Sequence, residues 1–313
     1  MKALLLAAGY GTRLKPLTDH VPKPLTLFMG SPILDIVYSQ VVRAGIQNIA
    51  VNTHHLSERI RLHIQNSPLY KHPVHISYEP DILGTGGSIN PLRSWLGGED
   101  LLIFNGDIVT SLDTLSFIAA FEKAKPLAGM VLIPHKAGTT PVYILGDQVV
   151  SIGEAVPGAL KKTFAGIHII SDAFIREMPT SGFYSVIDTY QKLLKAKGSI
   201  LAFEHNSYWA DLGIPRDYLE AHQSLLHHPD RARLCESLCL DTGPWRYAET
   251  QRTLFIGCEP IAGFKDSFVF GPIACEQPVQ FDVCIVYPHS QLSKHSHEKY
   301  KIVTGYALLN MMS

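Results

Sequence analysis

Ala3-Leu4-Leu5-Leu6-Ala7-Ala8-Gly9-Tyr10-Gly11-Thr12-Arg13-Leu14, near the N-terminus, is the most informative stretch about the fold. Its first half is continuously apolar, which is typical of a strand buried on both faces of a parallel sheet. Its second half is a glycine-rich loop. Gly9 and Gly11 let backbone amides approach a polyphosphate, and Arg13 with Lys23 supplies positive charge. The stretch therefore predicts a buried strand that leads into a phosphate-binding loop.

Two other phosphate-binding loops begin in a similar way, and the spacing of the residues excludes both. A dinucleotide-binding fingerprint needs glycine at position 14, which is Leu14 here. A P-loop needs Gly-Lys-Ser or Gly-Lys-Thr, which this loop lacks. For the loop taken alone, a strand-to-helix turn that binds nothing stays open as an alternative.

Apolar runs and helical periodicity alternate along the first two thirds of the chain. We expect Ser31-Pro32 to begin a helix that stops at Gly45, and Gly146-Asp147 to form a hairpin turn. Strand and helix repeated in this way predict an α/β fold. The expected architecture is a Rossmann-like, doubly wound, mixed but mainly parallel sheet.

The composition changes after about residue 228, where a polar, histidine-rich segment begins. We predict a first domain over residues 1–228, a linker over 229–250 and a small β-rich domain over 251–313. Short apolar pairs separated by Gly, Pro, His and Ser predict an irregular left-handed β-helix, although the six-residue period is poor. We expect this last segment to pack on the first domain or to form a homo-oligomer interface.

The charge is almost balanced, with 27 basic and 28 acidic residues and a net charge of -1. No general basic field exists to bind nucleic acid or an anionic membrane, so neither is expected as a partner. Five cysteines without a CxxC spacing predict reduced thiols and a cytoplasmic location. The apolar run at the N-terminus is too short for an export signal.

Two further motifs follow predicted strands. Leu83 to Ser88 reads Leu-Gly-Thr-Gly-Gly-Ser and opens a helix, so its amides are expected to face a base or ribose. Asp107 lies just past the apolar strand at 101–104, at the edge where ligands of open α/β sheets collect. A lone aspartate there is equally typical of a turn or a helix cap.

These motifs, in this order, resemble the nucleotidyltransferases that make nucleotide sugars. The signature of that family is Gly-x-Gly-Thr-Arg-Leu followed by Pro-Lys-Pro, matched here by Gly9 to Leu14 and Pro22-Lys23-Pro24. The resemblance covers residues 1–226 and is strongest toward bacterial N-acetylmuramate-1-phosphate uridylyltransferases and mannose-1-phosphate guanylyltransferase-like proteins. It implies an enzyme that joins a nucleoside triphosphate to a sugar 1-phosphate and releases pyrophosphate.

The resemblance also implies roles for individual residues. The expected catalytic residues are Arg13, Lys23 and Asp107. Asp107 and Asp211 are expected to bind Mg²⁺, which prefers oxygen ligands. The nucleotide-binding residues are expected to be Ala7, Ala8, Gly9, Tyr10, Gly11, Thr12, Gly84, Thr85 and Gly86. The sugar-binding residues are expected to be Gly166, Glu154 and Asp188.

The chain departs from the family pattern at two points. Gly213-Ile214-Pro215 stands where the family commonly has Gly-Thr-Pro, which removes a hydroxyl. A frequent Glu-Lys-Pro of the sugar site is missing, which leaves Lys161 or Lys162 as a substitute. The 15 histidines lack ligand spacing, so we expect most of them at the surface and no transition-metal site.

Two other functions stay open at this point. One is a catalytically silent regulatory protein that binds nucleotide sugars without reacting them. The other is a cytidylyltransferase that uses a non-sugar phosphate acceptor such as phosphocholine.

Overall fold

The computed structural model describes residues 1–305 and 308–311. The chain divides into two compact units. Unit 1 comprises Met1–Gly9 and Val37–Trp209, and unit 2 comprises Tyr10–Ile36 and the chain from Ala210 onward. Each unit has its own hydrophobic cluster.

The first 211 residues contain the strands β1 (Lys2–Leu6), β2 (Leu27–Phe28), β3 (Ser31–Pro32), β4 (Ile49–Thr53), β5 (Val74–Tyr78), β6 (Leu101–Asn105), β7 (Ile108–Thr110), β8 (Ala128–Pro134), β9 (Pro141–Leu145), β10 (Gln148–Ile152), β11 (Leu160–Ile170), β12 (Ile200–Glu204) and β13 (Trp209–Asp211). The helices are α1 (Leu17–His20), α2 (Ile33–Arg43), α3 (Ser57–Asn66), α4 (Gly84–Gly87), α5 (Arg93–Leu96), α6 (Thr114–Ala124), α7 (Asp172–Glu177), α8 (Val186–Lys195), α9 (Pro215–Leu226) and α10 (Arg231–Ser237). Short 3₁₀ turns lie at Thr12–Leu14, Lys23–Leu25 and Asn90–Leu92.

Unit 1 is built on a nine-stranded sheet, counted over the described residues, in the order β5-β4-β1-β6-β11-β8-β12-β10-β9. The first four of these strands are parallel, and β1 lies between β4 and β6. The apolar run predicted to be a buried strand is confirmed, since Ala3, Leu4 and Leu5 are fully buried in β1. Chain order reverses at β1, because β4 and β5 extend to one side of it and β6 to the other.

The other half of the sheet is mixed. β11 runs antiparallel to β6, β8 and β9, whereas β12 is parallel to β8. The predicted hairpin at Gly146-Asp147 is confirmed, because β9 and β10 pair on either side of it. The mixed α/β architecture is therefore confirmed. The sheet is less parallel than expected, because the long strand β11 reverses direction and takes antiparallel partners on both sides.

The helices follow the sequence pattern with one correction. α9 begins at Pro215, which suits the first position of a helix, and Ser185 caps α8 by accepting a hydrogen bond from the Ile187 amide. The prediction that Ser31-Pro32 begins a helix was wrong. These two residues form β3 and pair with Leu27–Phe28, so α2 begins at Ile33.

The chain after α10 is rich in short strands, as expected. These are β14 (Trp245–Ala248), β15 (Thr253–Ile256), β16 (Phe264–Lys265), β17 (Phe268–Phe270), β18 (Ala274–Cys275), β19 (Gln280–Asp282), β20 (Ile285–Val286), β21 (Gln291–Leu292), β22 (His297–Lys299), β23 (Lys301–Val303) and β24 (Leu308–Asn310).

β14 and β24 pair antiparallel with β15 and β23. The other described strands form three parallel ladders, which are β15-β17-β20-β23, β16-β19-β22 and β18-β21. In the first ladder Phe268, Ile285 and Ile302 are partners at intervals of 17 residues. We call the segment from β15 to β23 the C-terminal coils. The 17-residue interval is one short of three hexapeptides, which explains why the six-residue period is poor in the sequence.

The segment predicted to be a linker, residues 229–250, contains α10 and β14. Tyr10–Ile36 also belongs to the same compact unit as the chain from Ala210 onward. Both observations differ from the division at residue 228 that the sequence suggested, and residues 306–307 and 312–313 of the predicted last domain lie outside the described ranges. None of the helices in the described ranges has both the length and the apolar character that a membrane span requires.

Candidate active site

In unit 1, the candidate site lies where chain order reverses between β1 and β6. Leu6 and Asn105 are partners at the carboxyl ends of these strands, and the Gly106 amide donates a hydrogen bond of 2.9 Å to the Leu6 carbonyl. Asp107 follows directly and is partly exposed. Ligands of open α/β sheets bind at such a reversal point. Asp107 therefore lies at the position where the fold places a ligand.

A chain of buried hydrogen bonds joins the carboxyl ends of β1, β4 and β5. The Ala7 amide donates to Asn52 Oδ1 at 2.7 Å, and Asn52 Nδ2 donates to Glu79 Oε1 at 2.8 Å. The other carboxyl oxygen of Glu79 accepts from the Leu83 amide at 3.0 Å. Asn52 and Glu79 were not among the residues expected from the sequence. Their signal was a polar residue at the end of each apolar strand.

The glycine-rich helix α4 is held by a distant segment of unit 1. The amides of Gly86 and Gly87 donate to the Tyr184 carbonyl at 3.1 and 3.4 Å, and the Tyr184 amide donates to the Leu83 carbonyl at 3.1 Å. A Cβ at Gly86 would collide with the Tyr184 ring. The Gly86 amide therefore donates within the protein, and Gly86 stays a predicted nucleotide-binding residue whose amide is already hydrogen-bonded.

The other two predicted residues of α4 remain at its exposed end. Thr85 is exposed, although its hydroxyl accepts from the Val186 amide at 3.2 Å. Gly84 has a φ of 77°, and a Cβ there would lie 3.2 Å from the Phe183 ring. Phe183 itself is 73% exposed. A large aromatic surface therefore lies beside the start of α4, open to a ligand.

Gly166 lies in a bulge of β11, where the pairing with β8 shifts between Phe164 and His168. Its φ is 78°, and a Cβ there would lie 2.8 Å from Asn105 Nδ2. Glycine is therefore required for both backbone and packing reasons. Because Asn105 is two residues before Asp107, the predicted sugar-binding glycine adjoins the β6 end of the site.

In unit 2, the signature loop is fixed from within. Gly11 has a φ of 64°, and a Cβ there would lie 2.8 Å from Thr18 Cγ2 and 3.2 Å from Lys23 Cβ. The Thr18 hydroxyl donates to the Gly11 carbonyl at 2.8 Å. The loop residues Tyr10, Thr12 and Arg13 are exposed. The second glycine of the motif thus brings the loop and Lys23 close together.

Arg13 and Asp211 approach each other around Gly213. A Cβ at Gly213 would lie 2.7 Å from Arg13 Nη2 and 2.8 Å from Asp211 Oδ1. A side chain at this position would make both groups shift from where they lie. The sequence pattern singled out Gly213 only as the residue before Ile214. It did not predict that Gly213 lies between Arg13 and Asp211.

Glu154 and Asp188 are less closely tied to the site. Glu154 follows β10, Asp188 lies in the first turn of α8, and both side chains are exposed. No hydrogen bond in the described part of the chain joins either of them to Gly166. Of the two lysines considered for the sugar phosphate, Lys162 is ion-paired with Glu204 and Lys161 is exposed.

The acidic residues suit a hard cation. Asp107 and Asp211 offer oxygen only, which is the chemistry that Mg²⁺ prefers, and both side chains are partly exposed. Over residues 1–305 and 308–311, no group of three or more His, Cys, Asp and Glu side chains is arranged to hold a metal. Burial lowers the pKa of His168 to about 3 and that of His222 to about 4, so these two histidines are neutral core residues.

The chain is similar in sequence to known proteins. A family model described as nucleotidyl transferase matches residues 2–142. N-acetylmuramate alpha-1-phosphate uridylyltransferase of Neisseria meningitidis serogroup B is 30% identical over 224 residues, which are 68% of this chain and 93% of that protein.

Two further similarities involve guanine nucleotides. Mannose-1-phosphate guanylyltransferase catalytic subunit beta of Danio rerio is 29% identical over 238 residues, 70% of this chain but only 63% of that protein's length. The crystal structure of HddC from Yersinia pseudotuberculosis complexed with GMP-PN has a TM-score of 0.59 and 25% identity, covering 71% of this chain and 98% of that one.

The relative that is 30% identical is aligned over 93% of its own length and 68% of this chain. The chain belongs to the sugar-phosphate nucleotidyltransferase family.

Proposed function

We propose that this protein is a sugar-1-phosphate nucleotidylyltransferase, which converts a nucleoside triphosphate and a sugar 1-phosphate into a nucleotide sugar and pyrophosphate. The single observation that carries the proposal is the arrangement of Arg13 and Asp211 around Gly213. A guanidinium beside a carboxylate suits a site that must bind both a polyphosphate and its metal. Relatives that carry such names make the same reaction class the natural choice.

The proposed reaction is an in-line attack by an oxygen of the sugar phosphate on the α-phosphorus, with pyrophosphate as the leaving group. A phosphate nucleophile is already ionised at neutral pH, so no general base is needed. Catalysis then depends on alignment and on neutralisation of charge. Arg13 and Lys23 bind the phosphates and hold the leaving group, and the backbone from Ala7 to Thr12 wraps around the triphosphate.

The remaining parts of the site are assigned by the same proposal. Asp107 and Asp211 are the carboxylate ligands of Mg²⁺, which would neutralise phosphate charge when bound. Gly84 and Thr85 face the nucleoside, with Phe183 as an additional aromatic neighbour. Gly166 borders the sugar site, and the exposed carboxylates of Glu154 and Asp188 are candidate partners of sugar hydroxyls.

We also propose the cytoplasm as the place of action and the C-terminal coils as a left-handed β-helix. The proposed substrates are metabolites, and the composition favours reduced thiols. Short parallel ladders at a regular interval are typical of a β-helix. The coils are a candidate surface for self-association, which the mass of the protein in solution would test.

The direct test is a pyrophosphate-release assay over a panel of triphosphates and sugar 1-phosphates. We expect Asp107→Ala to lower turnover by about 100-fold or more, because the metal's charge is no longer fixed. Lys23→Ala should behave similarly, and Arg13→Ala should chiefly lower turnover. The matched control is Asp147→Ala, which removes an exposed carboxylate from the β9–β10 turn.

The outcome decides between the functions left open. Full activity in purified Asp107→Ala or Lys23→Ala would contradict the proposal. Binding of nucleotide sugars without turnover by the intact protein would indicate a regulatory role, and turnover only with CTP and phosphocholine would indicate the non-sugar acceptor.

A further inference from the structure

The hairpin β2–β3 begins four residues after Lys23 and lies in unit 2. Leu27, its first residue, is hydrogen-bonded at both its amide and its carbonyl to tyrosines that are far away in sequence. We infer that Tyr287 of the C-terminal coils, together with Tyr218 of α9, is a positioning residue for Lys23 and acts through the backbone of Leu27. The functional part of this inference rests on the proposed nucleotidyl transfer.

The three residues form a closed ring of hydrogen bonds. The Leu27 amide donates to the Tyr287 hydroxyl at 3.0 Å, and the Tyr218 hydroxyl donates to the Leu27 carbonyl. The two hydroxyl oxygens are 2.7 Å apart. Since the proton of Tyr218 is used on Leu27, Tyr287 must donate to Tyr218. Each hydroxyl is then both donor and acceptor, and loss of either leaves two buried groups without their partners.

The ring is buried, which keeps it intact at neutral pH. Tyr218 is 0% exposed and Tyr287 is 6% exposed. Burial raises the pKa of Tyr287 to about 12, so its hydroxyl keeps the proton that the ring requires. A buried, fully satisfied polar network specifies one backbone conformation.

Leu27 is connected to Lys23 by a short segment whose backbone is hydrogen-bonded. Thr26 donates to the Lys23 carbonyl twice, from its amide at 3.0 Å and from its hydroxyl at 2.8 Å. The Thr26 carbonyl in turn accepts from the Ile33 amide at 3.1 Å. The backbone from Lys23 to Leu27 is therefore held along its whole length, and displacing Leu27 displaces Lys23.

Other contacts hold the same hairpin against the same partners. The Met29 amide donates to His222 Nε2 at 3.1 Å, and the Phe28 and His222 rings are 4.8 Å apart. A Cβ at Gly30 would lie 2.8 Å from Ile256 Cγ2, in β15. These contacts hold the hairpin as a whole. The hydrogen bonds of Tyr218 and Tyr287 hold Leu27, which is the hairpin residue nearest to Lys23 in the sequence.

The test is Tyr287→Phe in the full chain, with Tyr247→Phe as the matched control, because Tyr247 is 39% exposed in β14. Val269→Ala, in the buried core of the coils, is the control for a general loss of stability. Three quantities are measured: hydrogen exchange at the Leu27 amide, turnover with KM for both substrates, and the effect of Tyr287→Phe in a Lys23→Ala background.

We expect Tyr287→Phe, which removes two buried hydrogen bonds, to speed exchange at Leu27 and to lower turnover by about 3- to 10-fold, with KM for the sugar 1-phosphate unchanged. Neither Tyr247→Phe nor Val269→Ala should speed exchange at Leu27 and lower turnover in this way. In the Lys23→Ala background the same substitution should have no further effect on turnover or on the Kd for the triphosphate.

Unchanged exchange at Leu27, or an equal fold-loss in both backgrounds, would overturn the inference. If the intact protein transfers no nucleotide, the proposed function fails, yet exchange at Leu27 still decides whether Tyr287 fixes the hairpin.

Discussion

At the scale of single residues, Gly213 is the position where two predicted site residues, Arg13 and Asp211, lie close together. Its neighbours Arg13 and Asp211 occupy the space that any Cβ would need. We expect Gly213→Ala to lower turnover by about 10-fold or more, because both charged groups must move from their positions. Pyrophosphate release measures this effect.

Gly243→Ala is the matched control for that substitution, since the added Cβ would lie 3.1 Å from Oδ1 of Asp241, an exposed carboxylate that has no role in the proposed site. A Gly213→Ala protein with unchanged turnover would show that Arg13 and Asp211 do not act together. An equal loss of turnover in Gly213→Ala and Gly243→Ala would likewise show that the effect does not come from Arg13 and Asp211 acting together.

The buried histidines make a second residue-scale prediction. Burial lowers the pKa of His222 to about 4, whereas the unfolded chain has a value near 6.5. Between these values the unfolded chain binds a proton that the native protein does not, so stability is full above pH 6.5 and is lost as the pH falls toward 4. The loss is at most about 1.4 kcal/mol per pH unit for this group.

Calorimetric unfolding between pH 4.5 and 7.5 checks this slope. His222→Gln keeps an acceptor for the Met29 amide and cannot titrate. We expect its stability to depend less steeply on pH than that of the unaltered protein. An identical slope in the two proteins would contradict the assignment.

At residue scale, the sequence indicated where a residue lies within its element and did not indicate which distant residues it contacts. Asp107 follows an apolar strand, so its place at the sheet edge was predictable from pattern alone. The roles of Gly213 and Glu79 depend on neighbours that are far away in sequence, such as Arg13 and Asn52, and no local pattern reveals such neighbours. Gly86 shows the converse, because a glycine expected to face a ligand is needed for packing on Tyr184.

At the scale of elements, α4 and the segment around Tyr184 behave as one structure. Two amides of α4 donate to the same Tyr184 carbonyl, and Gly86 leaves room for the Tyr184 ring. We expect Gly86→Ala to raise KM for the triphosphate several-fold with a smaller change in turnover, because α4 lies at the nucleoside end of the proposed site. Initial rates at varied triphosphate concentration measure this.

Gly198→Ala is a suitable comparison, because its added Cβ would lie as close as 2.9 Å to Leu127 Cδ1. Gly198 follows the C-terminal end of α8, whereas Tyr184 precedes the N-terminal end. If both variants raised KM equally, the effect would reflect general packing. A selective effect of Gly86→Ala would support the role of α4.

The elements themselves were largely predictable because their signals are local. α9 begins at Pro215, and its apolar residues recur at helical spacing. β3 was mistaken for a helix start because Ser-Pro is a common N-terminal pair, and only its pairing with Leu27–Phe28 decides otherwise. Tertiary contacts overrode the local signal there.

At the scale of the whole molecule, the C-terminal coils lie in the same compact unit as Arg13 and Lys23. Tyr287 and Ile256 both contact the hairpin that follows Lys23. We expect removal of the chain after residue 250 to abolish turnover, because it exposes Phe28 and Met29, which are buried. Turnover and circular dichroism of the shortened protein test this, and full activity with native structure would contradict it.

The sequence suggested that the last segment packs on the first domain, but it did not indicate which residues are in contact. The histidine-rich segment near residue 228 suggested a boundary, whereas the hydrogen bond between Leu27 and Tyr287, within unit 2, joins residues 260 positions apart. From β17 onward the coils repeat every 17 residues, which is not a multiple of six, so the hexapeptide period was poor in the sequence.

Transfer of the nucleotidyl group of a nucleoside triphosphate to a sugar 1-phosphate is the activity on which the other proposals depend. It is measured by incubating α-³²P-labelled triphosphates with the protein, Mg²⁺ and a panel of sugar 1-phosphates. We expect the label to appear in a nucleotide sugar while unlabelled pyrophosphate is released in equal amount, and Asp107→Ala to abolish both. Label that remains in the triphosphate with every sugar 1-phosphate, or release of orthophosphate in place of pyrophosphate, would contradict the proposed reaction.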